Sequence, residues 1–311
     1  MRVLIYGAGA VGLGMASCLA SAGVETHVVA RPETVAALRA RGLRRTGIFG
    51  EVPIAPGRIA AWPAIEQTPD AGFDYVLVCT KTYDRAEAAR SIGAWAGEGA
   101  VGAAIVLFQN GWGNAEVFRE HVAQPVYNAR VITGFRRPEP AVVEVTVHAD
   151  DIRVGSLFGD ALETVAPLCS AIASGGIPCR STAEIGRDLW SKMLYNCALN
   201  PLGAILEATY GELAADAGTR KIMDAVVEEA FAVMAAEGHR THWPDAEGYL
   251  RSFYADMVPP TATHEPSMLQ DLRAGRRTEI DALNGAVVAL GARQGIEVPV
   301  NAALCALVRF R

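Results

Sequence analysis

Residues 2 to 6, RVLIY, form an apolar run that ends on Gly7-Ala8-Gly9-Ala10-Val11-Gly12 and gives way at once to the small-residue helical stretch Leu13 to Ala22. This is GxGxxG set between a first strand and a first helix. Gly7 permits the tight turn, Gly9 lets the backbone approach a pyrophosphate, Gly12 lets helix and strand pack closely, and the helix N-terminus faces the phosphate charge. A chain that opens this way predicts a parallel, doubly wound sheet with a dinucleotide at its first turn, and Gly7, Gly9, Ala10 and Gly12 are the candidate cofactor contacts. Arg2 and the uncharged stretch Val3 to Val24, with Ala20-Ser21-Ala22 near its end, superficially resemble a secretory leader. Glycines at 7, 9, 12 and 14 argue against one, because a leader core is a compact helix. Elsewhere no apolar run approaches the roughly 18 residues of a membrane span.

The end of the second strand bears on which dinucleotide binds. The segment Glu25 to Ala30, ETHVVA, reaches Arg31-Pro32 where an NAD site would place an acid about twenty residues past the glycine loop. A guanidinium suits a 2′-phosphate, so the reading favours NADPH, with Arg39, Arg41, Arg44 and Arg45 on the next helix and turn adding positive potential. Glu33 would serve NAD instead if the register is shifted by two.

Strand-like runs at Val3 to Tyr6, Thr26 to Ala30, Tyr75 to Cys79 and Ile105 to Phe108 alternate with helical patterns, as a parallel sheet requires. Val142 to Val147 and Ile152 to Gly155, separated by Ala149-Asp150-Asp151, read as a closing antiparallel hairpin, followed by a helix at Ala161 to Ser174 and a short strand near Ile177. From Ala183 the strand signal stops and long helical periodicity takes over, including Lys221 to Glu237 and Ser267 to Gln294. The fold class is therefore α/β, with a Rossmann-type domain over 1–183 and an all-helical domain over 184–311. At 51% hydrophobic and 20% charged, 311 residues suffice for two cores. A net charge of −6 without a basic tract argues against nucleic acid as a partner. The six cysteines lie among apolar neighbours with no CxxC and read as free thiols of a cytoplasmic protein. His239 and His242, an isolated HxxH, read as surface or capping residues with no metal. The apolar helices of the second domain could pack against a partner subunit in a homodimer or complete a monomer's core.

The stretch Trp190 to Pro201, WSKMLYNCALNP, carries the strongest chemistry. Lys192, Asn196 and Asn200 recur every four residues, and a helix advancing roughly 100° per residue keeps them on one face. Their neighbours are mostly apolar, so the lysine is a candidate proton donor in an enclosed setting; the plainer reading is one exposed lysine and two hydrogen-bonding amides. Lys81 follows YVLVCT and Asn110 follows the fourth run, at strand ends where a doubly wound sheet meets its ligands. Asn110 also precedes Gly111, a common turn pair. Ser267, with Gln270 three residues on, marks a helix start with Ser267 as its cap. Glu279, about three turns along, is either an acid of the site or a solvated carboxylate paired with Arg276 and Arg277.

Taken in order, GAGAVG at 7 to 12, CTK at 79 to 81, QNGWG at 109 to 113, LWSKMLYNCALNPL at 189 to 202 and SMLQDLRAGRRTEIDALNG at 267 to 285 resemble the ketopantoate reductase (2-dehydropantoate 2-reductase) family along the whole chain. The resemblance implies NADPH-dependent reduction of the small 2-keto acid ketopantoate to pantoate, on the path to pantothenate and coenzyme A. It implies Lys192 as the catalytic lysine, Glu279 as its acidic partner, and Asn110, Asn196, Asn200 and Ser267 as the groups holding substrate and nicotinamide. Arg31 and Lys81 fall where the family contacts the adenosine phosphate end. Three residues depart from the family's usual pocket: Arg130 and Phe135 after the sixth strand region, where small residues are usual, and His264 in place of a polar amide. Arg130 would either clamp a second anionic group of a different 2-keto acid or turn outward without a role. Reduction of another 2-keto acid is therefore the second reading, and a non-enzymatic NADP(H) sensor, which has no need of a proton donor, the third.

Overall fold

The structure is a computed structural model and describes residues 1–69, 72–98 and 102–311. It divides into two compact units, one of residues 1–109 and 114–185, the other of residues 110–113 and 186–311.

The first unit is α/β. Its elements are β1 (Arg2–Tyr6), α1 (Ala10–Ser21), β2 (Glu25–Val29), α2 (Pro32–Arg41), β3 (Leu43–Gly47), β4 (Val52–Ile54), β5 (Ile59–Trp62), β6 (Tyr75–Val78), α3 (Arg85–Glu98), β7 (Ala104–Leu107), α4 (Asn114–Arg119), β8 (Val126–Glu139), β9 (Val142–Gly155), α5 (Ala166–Ser174) and β10 (Cys179–Ser181). The strands form one sheet in the order β4-β3-β9-β8-β7-β6-β1-β2-β5, with β10 also on β9. From β5 through β8 every pairing is parallel. Alternation along the strands gives the sheet two buried faces: Val3, Ile5, Leu77 and Val106 enter one core, Leu4, Val76, Ile105 and Leu107 the other. This is the doubly wound sheet that GAGAVG predicts. Because β1 lies between β2 and β6, the order reverses there and a crevice opens beyond the strand ends.

Two expectations fail in the second half of this unit. Val142 to Val147 and Ile152 to Gly155 are not two arms of a hairpin but one strand, β9, whose antiparallel partner is β8. Ala149-Asp150-Asp151 look like a turn in sequence, yet register shifts between Arg130, Ile132 and Thr133 accommodate them within the ladder. The real turn is at 140–141, where Ala141 has φ +62°. The helix expected at Ala161 to Ser174 begins as a separate turn at Leu162–Thr164, since Pro167 sits in the first turn of α5. Strands β3, β4 and β5 are short, and β3 and β4 are interrupted by Arg, Gly or Pro, which hides them from a periodicity search.

The second unit is helical: α6 (Ile185–Leu206), α7 (Tyr210–Ala215), α8 (Ala217–Ala236), α9 (Ala246–Ser252), α10 (Ser267–Arg273), α11 (Asn284–Gln294) and α12 (Pro299–Phe310). Pro201 lies inside α6 and cannot donate to the Cys197 carbonyl one turn back. Asn284 of α11 supplies the missing bond, its Nδ2 donating to Cys197 O at 3.0 Å and to Asn301 Oδ1 of α12 at 3.0 Å. The periodicity from Ser267 to Gln294 is not one helix. Gly275, at φ +61°, follows the C-cap of α10 and ends it, and a short turn at Ile280–Ala282 precedes α11. No helix among the described residues is long and apolar enough to cross a membrane.

Candidate active site

In the α/β unit the glycine loop is fixed by close approach. Gly7 has φ +104°, and a Cβ there would stand 2.8 Å from Thr80 N in the turn after β6. A Cβ on Gly12 would stand 2.0 Å from Gly7 O. Over Gly9 the space is open, the nearest heavy atom being Cys79 O at 3.9 Å from such a carbon. Gly9 is the N-cap of α1 and, among the described residues, no side chain caps that end. Ala10 is the first helical residue. Uncapped N–H groups beneath an open backbone fit a dinucleotide pyrophosphate.

Arg31 is the N-cap of α2, its side chain 79% exposed and its Nε 4.0 Å from Glu33 Oε1, so both candidates for the ribose stand at one turn. Lys81, half-buried, opens the short turn Thr82–Asp84. The later arginines are engaged elsewhere. Arg39 donates to Ala61 O at 2.7 Å, Arg41 to Pro140 O at 3.3 Å, and Arg44 pairs with Glu51 at 3.6 Å. Arg45, expected to lend potential to the cofactor, is buried on β3. It donates to Gly175 O at 2.8 Å, the C-cap of α5, where the guanidinium meets the negative end of a helix. The same Nη1 lies 3.0 Å from Cys18 Sγ; burial pushes that thiol up to about 11, with the Arg45 charge pulling the other way.

The helical unit holds the second cluster. Lys192 on α6 donates from Nζ to Asn110 Oδ1 at 2.6 Å, and Asn110 Nδ2 donates to Glu279 Oε2 at 3.3 Å. The amide faces its acceptor end to the ammonium and its donor end to the carboxylate, so one neutral side chain serves a cation and an anion together. The loop carrying Asn110 belongs to this unit. Trp112 N donates to Ala282 O at 3.0 Å, and the Trp112 ring lies 4.9 Å from Trp190 and 4.7 Å from His239. Gly111, at φ +85°, passes so close to Ala282 that a Cβ would stand 2.3 Å from its carbonyl oxygen. The turn and the bridging amide are thus both real. Glu279 is 9% exposed, at the start of the turn before α11 and not in the third turn of a helix. Of the two arginines expected beside it, Arg276 bonds Asp271 at 2.9 Å.

Asn196 is half-buried one turn beyond Lys192, and Asn200 is buried with its Oδ1 accepting from Tyr210 OH at 2.8 Å. Ser267 is exposed and is the first residue of α10, not its cap; Pro266 holds that position. His239 packs against both Trp112 and Trp190 instead of standing on the surface, and His242 Nε2 meets the buried Asp188 Oδ1 at 2.8 Å. Asp188 lies one turn before Lys192, and sequence reasoning overlooked it although the i, i+4 spacing was visible.

The three departures resolve differently. Arg130 is 4% exposed and donates to Asp150 Oδ2 at 2.8 Å, so it does not turn outward. Burial pushes the Asp150 carboxyl up, but the bond and charge of Arg130, with the Asp151 N–H and the Arg153 charge, together more than reverse this and hold it below the usual range. The Phe135 ring lies against α1, where a Cβ on Gly14 would come 2.5 Å from its Cε1. His264 packs 5.3 Å from the Tyr210 ring in the helical unit, and burial lowers its pKa.

Comparison with known proteins gives a consistent result. The family described as "Ketopantoate reductase PanE/ApbA" matches residues 3–158, and "Ketopantoate reductase PanE/ApbA C terminal" matches residues 184–311. A 2-dehydropantoate 2-reductase of Aquifex aeolicus (strain VF5) is 34% identical over 313 residues, covering 100% of this chain and 97% of that protein. The crystal structure of a PanE/ApbA family ketopantoate reductase from Ralstonia eutropha JMP134 is 33% identical, with a TM-score of 0.85 over 100% of this chain and 98% of that one. A D-mandelate dehydrogenase solved with NADH and anilino(oxo)acetate shares the fold at a TM-score of 0.85 and 23% identity, covering 100% of this chain and 98% of that one.

Proposed function

This chain belongs to the ketopantoate reductase family, and from that premise we propose that it reduces the 2-keto group of ketopantoate to the hydroxyl of pantoate with NADPH, on the route to pantothenate and coenzyme A. Residues 1–183 hold the cofactor, through Gly7, Gly9, Ala10, Gly12, Arg31 and Lys81; residues 184–311, with Asn110, hold the substrate and the proton donor. When bound, the nicotinamide supplies a hydride to the keto carbon. Negative charge then develops on the keto oxygen. The Lys192 ammonium stabilises that charge and transfers a proton from Nζ to it, becoming neutral until solvent reprotonates it. Glu279 orients the ammonium through Asn110. Asn196, Asn200 and Ser267 bind the substrate without forming a rival ion pair with the lysine. Since Asn200 Oδ1 accepts from Tyr210, its NH2 is the end that serves a carboxylate.

The observation that carries this reading is the linked pair of bonds from Lys192 Nζ to Asn110 Oδ1 and from Asn110 Nδ2 to Glu279 Oε2. The test follows NADPH absorbance with purified protein, ketopantoate and a panel of other 2-keto acids, dicarboxylic ones included. Saturable oxidation best with ketopantoate supports the proposal; NADPH bound but never oxidised by any keto acid would refute it in favour of a sensor. One observation favours a second reading, reduction of a different 2-keto acid: His264, an imidazole packed against the tyrosine that holds Asn200. Arg130 no longer supports it, being committed to Asp150.

A further inference from the structure

Arg137, near the far end of β8, donates from Nη1 to Ala8 O of the glycine loop at 3.2 Å and to Thr34 Oγ1 of α2 at 3.3 Å. Those acceptors are 129 and 103 residues away in sequence, so the contact is a product of the fold. Thr34 is buried, and its N–H donates to Arg31 O at 2.9 Å. One threonine therefore ties Arg137 by its hydroxyl and the Arg31 backbone by its amide. The guanidinium is delivered to the corner between the end of β1 and the end of β2.

The strand holds it there firmly. Two residues before Arg137, the Phe135 ring is seated against α1 at Gly14, a position where any Cβ would collide with it. Between them, Arg136 Nε is bonded to Glu144 on β9 at 2.8 Å. Ala8 O and Thr34 Oγ1 fix the orientation of the Arg137 guanidinium. In a doubly wound sheet the end of β2 is where the adenosine ribose is recognised, and an arginine near it accommodates a 2′-phosphate. The Arg31 side chain is exposed, and Arg137 is half-buried.

We propose that Arg137 is a specificity-determining residue for the 2′-phosphate of the cofactor, acting with Arg31 as a two-cation clamp that distinguishes NADPH from NADH. The proposal rests on the NADPH reading above. Bidentate, charge-assisted bonds to a phosphate are the interaction a guanidinium makes best, and an anchored one loses little freedom in making them.

The test is calorimetric titration of wild type, Arg137→Gln and Arg137→Lys with NADPH and with NADH, each variant checked for wild-type thermal unfolding. Arg137→Gln is expected to weaken NADPH about tenfold or more while leaving NADH within about twofold, with Arg137→Lys recovering part of the loss. Equal weakening of both cofactors would mean that Arg137 merely props the glycine loop, and no change in either would mean that it plays no part; both outcomes overturn the proposal while leaving the NADPH reading intact. Should Arg137→Gln not fold, Arg137→Lys decides: a selective loss for NADPH supports the clamp, and an unselective one overturns it. Wild type that binds NADH as tightly as NADPH would remove the cofactor reading itself, and the clamp with it.

Discussion

The glycine loop of the α/β unit and the lysine centre of the helical unit are built on opposite principles. The loop is made of six successive residues, and what it offers is main chain: uncapped N–H groups and an open backbone over Gly9. The lysine centre is made of side chains, with Lys192 and Asn110 separated by 82 positions and Asn110 and Glu279 by 169. A backbone site is destroyed by adding a carbon, because its function is a clearance. A side-chain site is destroyed by removing a charge or a bridging amide, because its function is a potential.

That contrast can be broken by substitutions on either side. Lys192→Ala should have the largest effect, lowering kcat by about 10²- to 10⁴-fold while NADPH affinity stays within about twofold. Stopped-flow turnover beside a binding titration would show it, and near-normal turnover would refute the lysine's role. Gly12→Ala should do the reverse. Its Cβ, placed 2.0 Å from Gly7 O, should cost about 1–3 kcal/mol of stability in urea unfolding and abolish measurable cofactor binding. A variant that folds and binds normally would show that the clearance is not what matters.

Arg130→Ala sharpens the comparison, because it removes a large cation from the α/β unit that belongs to neither site. The loss of its bond to the part-exposed Asp150 should cost about 1–2 kcal/mol in the same assay, with KM for ketopantoate unchanged. A raised KM would return the residue to the substrate. The smallest effect concerns His264, whose pKa burial lowers. The unfolded chain takes up this proton below the ordinary value of 6.5 while the folded chain resists it, so stability falls as pH drops from neutral through that value and the folded one. Unfolding measured at pH 7 and pH 5 should show a shallower loss in His264→Asn, and identical slopes would contradict it.

Sequence reasoning reached what local chain geometry decides. GAGAVG announces its own turn, and the four-residue spacing of Lys192, Asn196 and Asn200 announces a helix face. It failed where a distant group decides. The residues around Glu279 left it open between an acid of the site and a solvated helix carboxylate, because the pattern seemed to run from Ser267 to Gln294, and Gly275 breaks it. Arg45 and Arg137 resemble any other arginine in the sequence, and Arg130 stands out only by its place, not by its partner. Their partners are a carbonyl at the end of α5, a carboxylate on β9 and an oxygen of the glycine loop, none adjacent in sequence. Asp188 and Asn284 are a different lesson. The spacing of the first and the Pro201 that requires the second were both in view, yet their partners His242 and Cys197 O appear only when helices pack.

The loop from Asn110 to Gly113 has an architectural consequence. It follows a strand of the sheet yet is packed among the helices, so the chain passes between the units at 109/110, again at 113/114 and a third time at 185/186. The helical portion is consequently not a severable cassette. A fragment beginning at residue 184 would carry Lys192 and Glu279 but leave behind the amide between them and the tryptophan that packs against Trp190. Grafting that fragment onto another nucleotide-binding domain would transfer the shape of the helices without their chemistry, unless the recipient brought an Asn-Gly-Trp turn of its own.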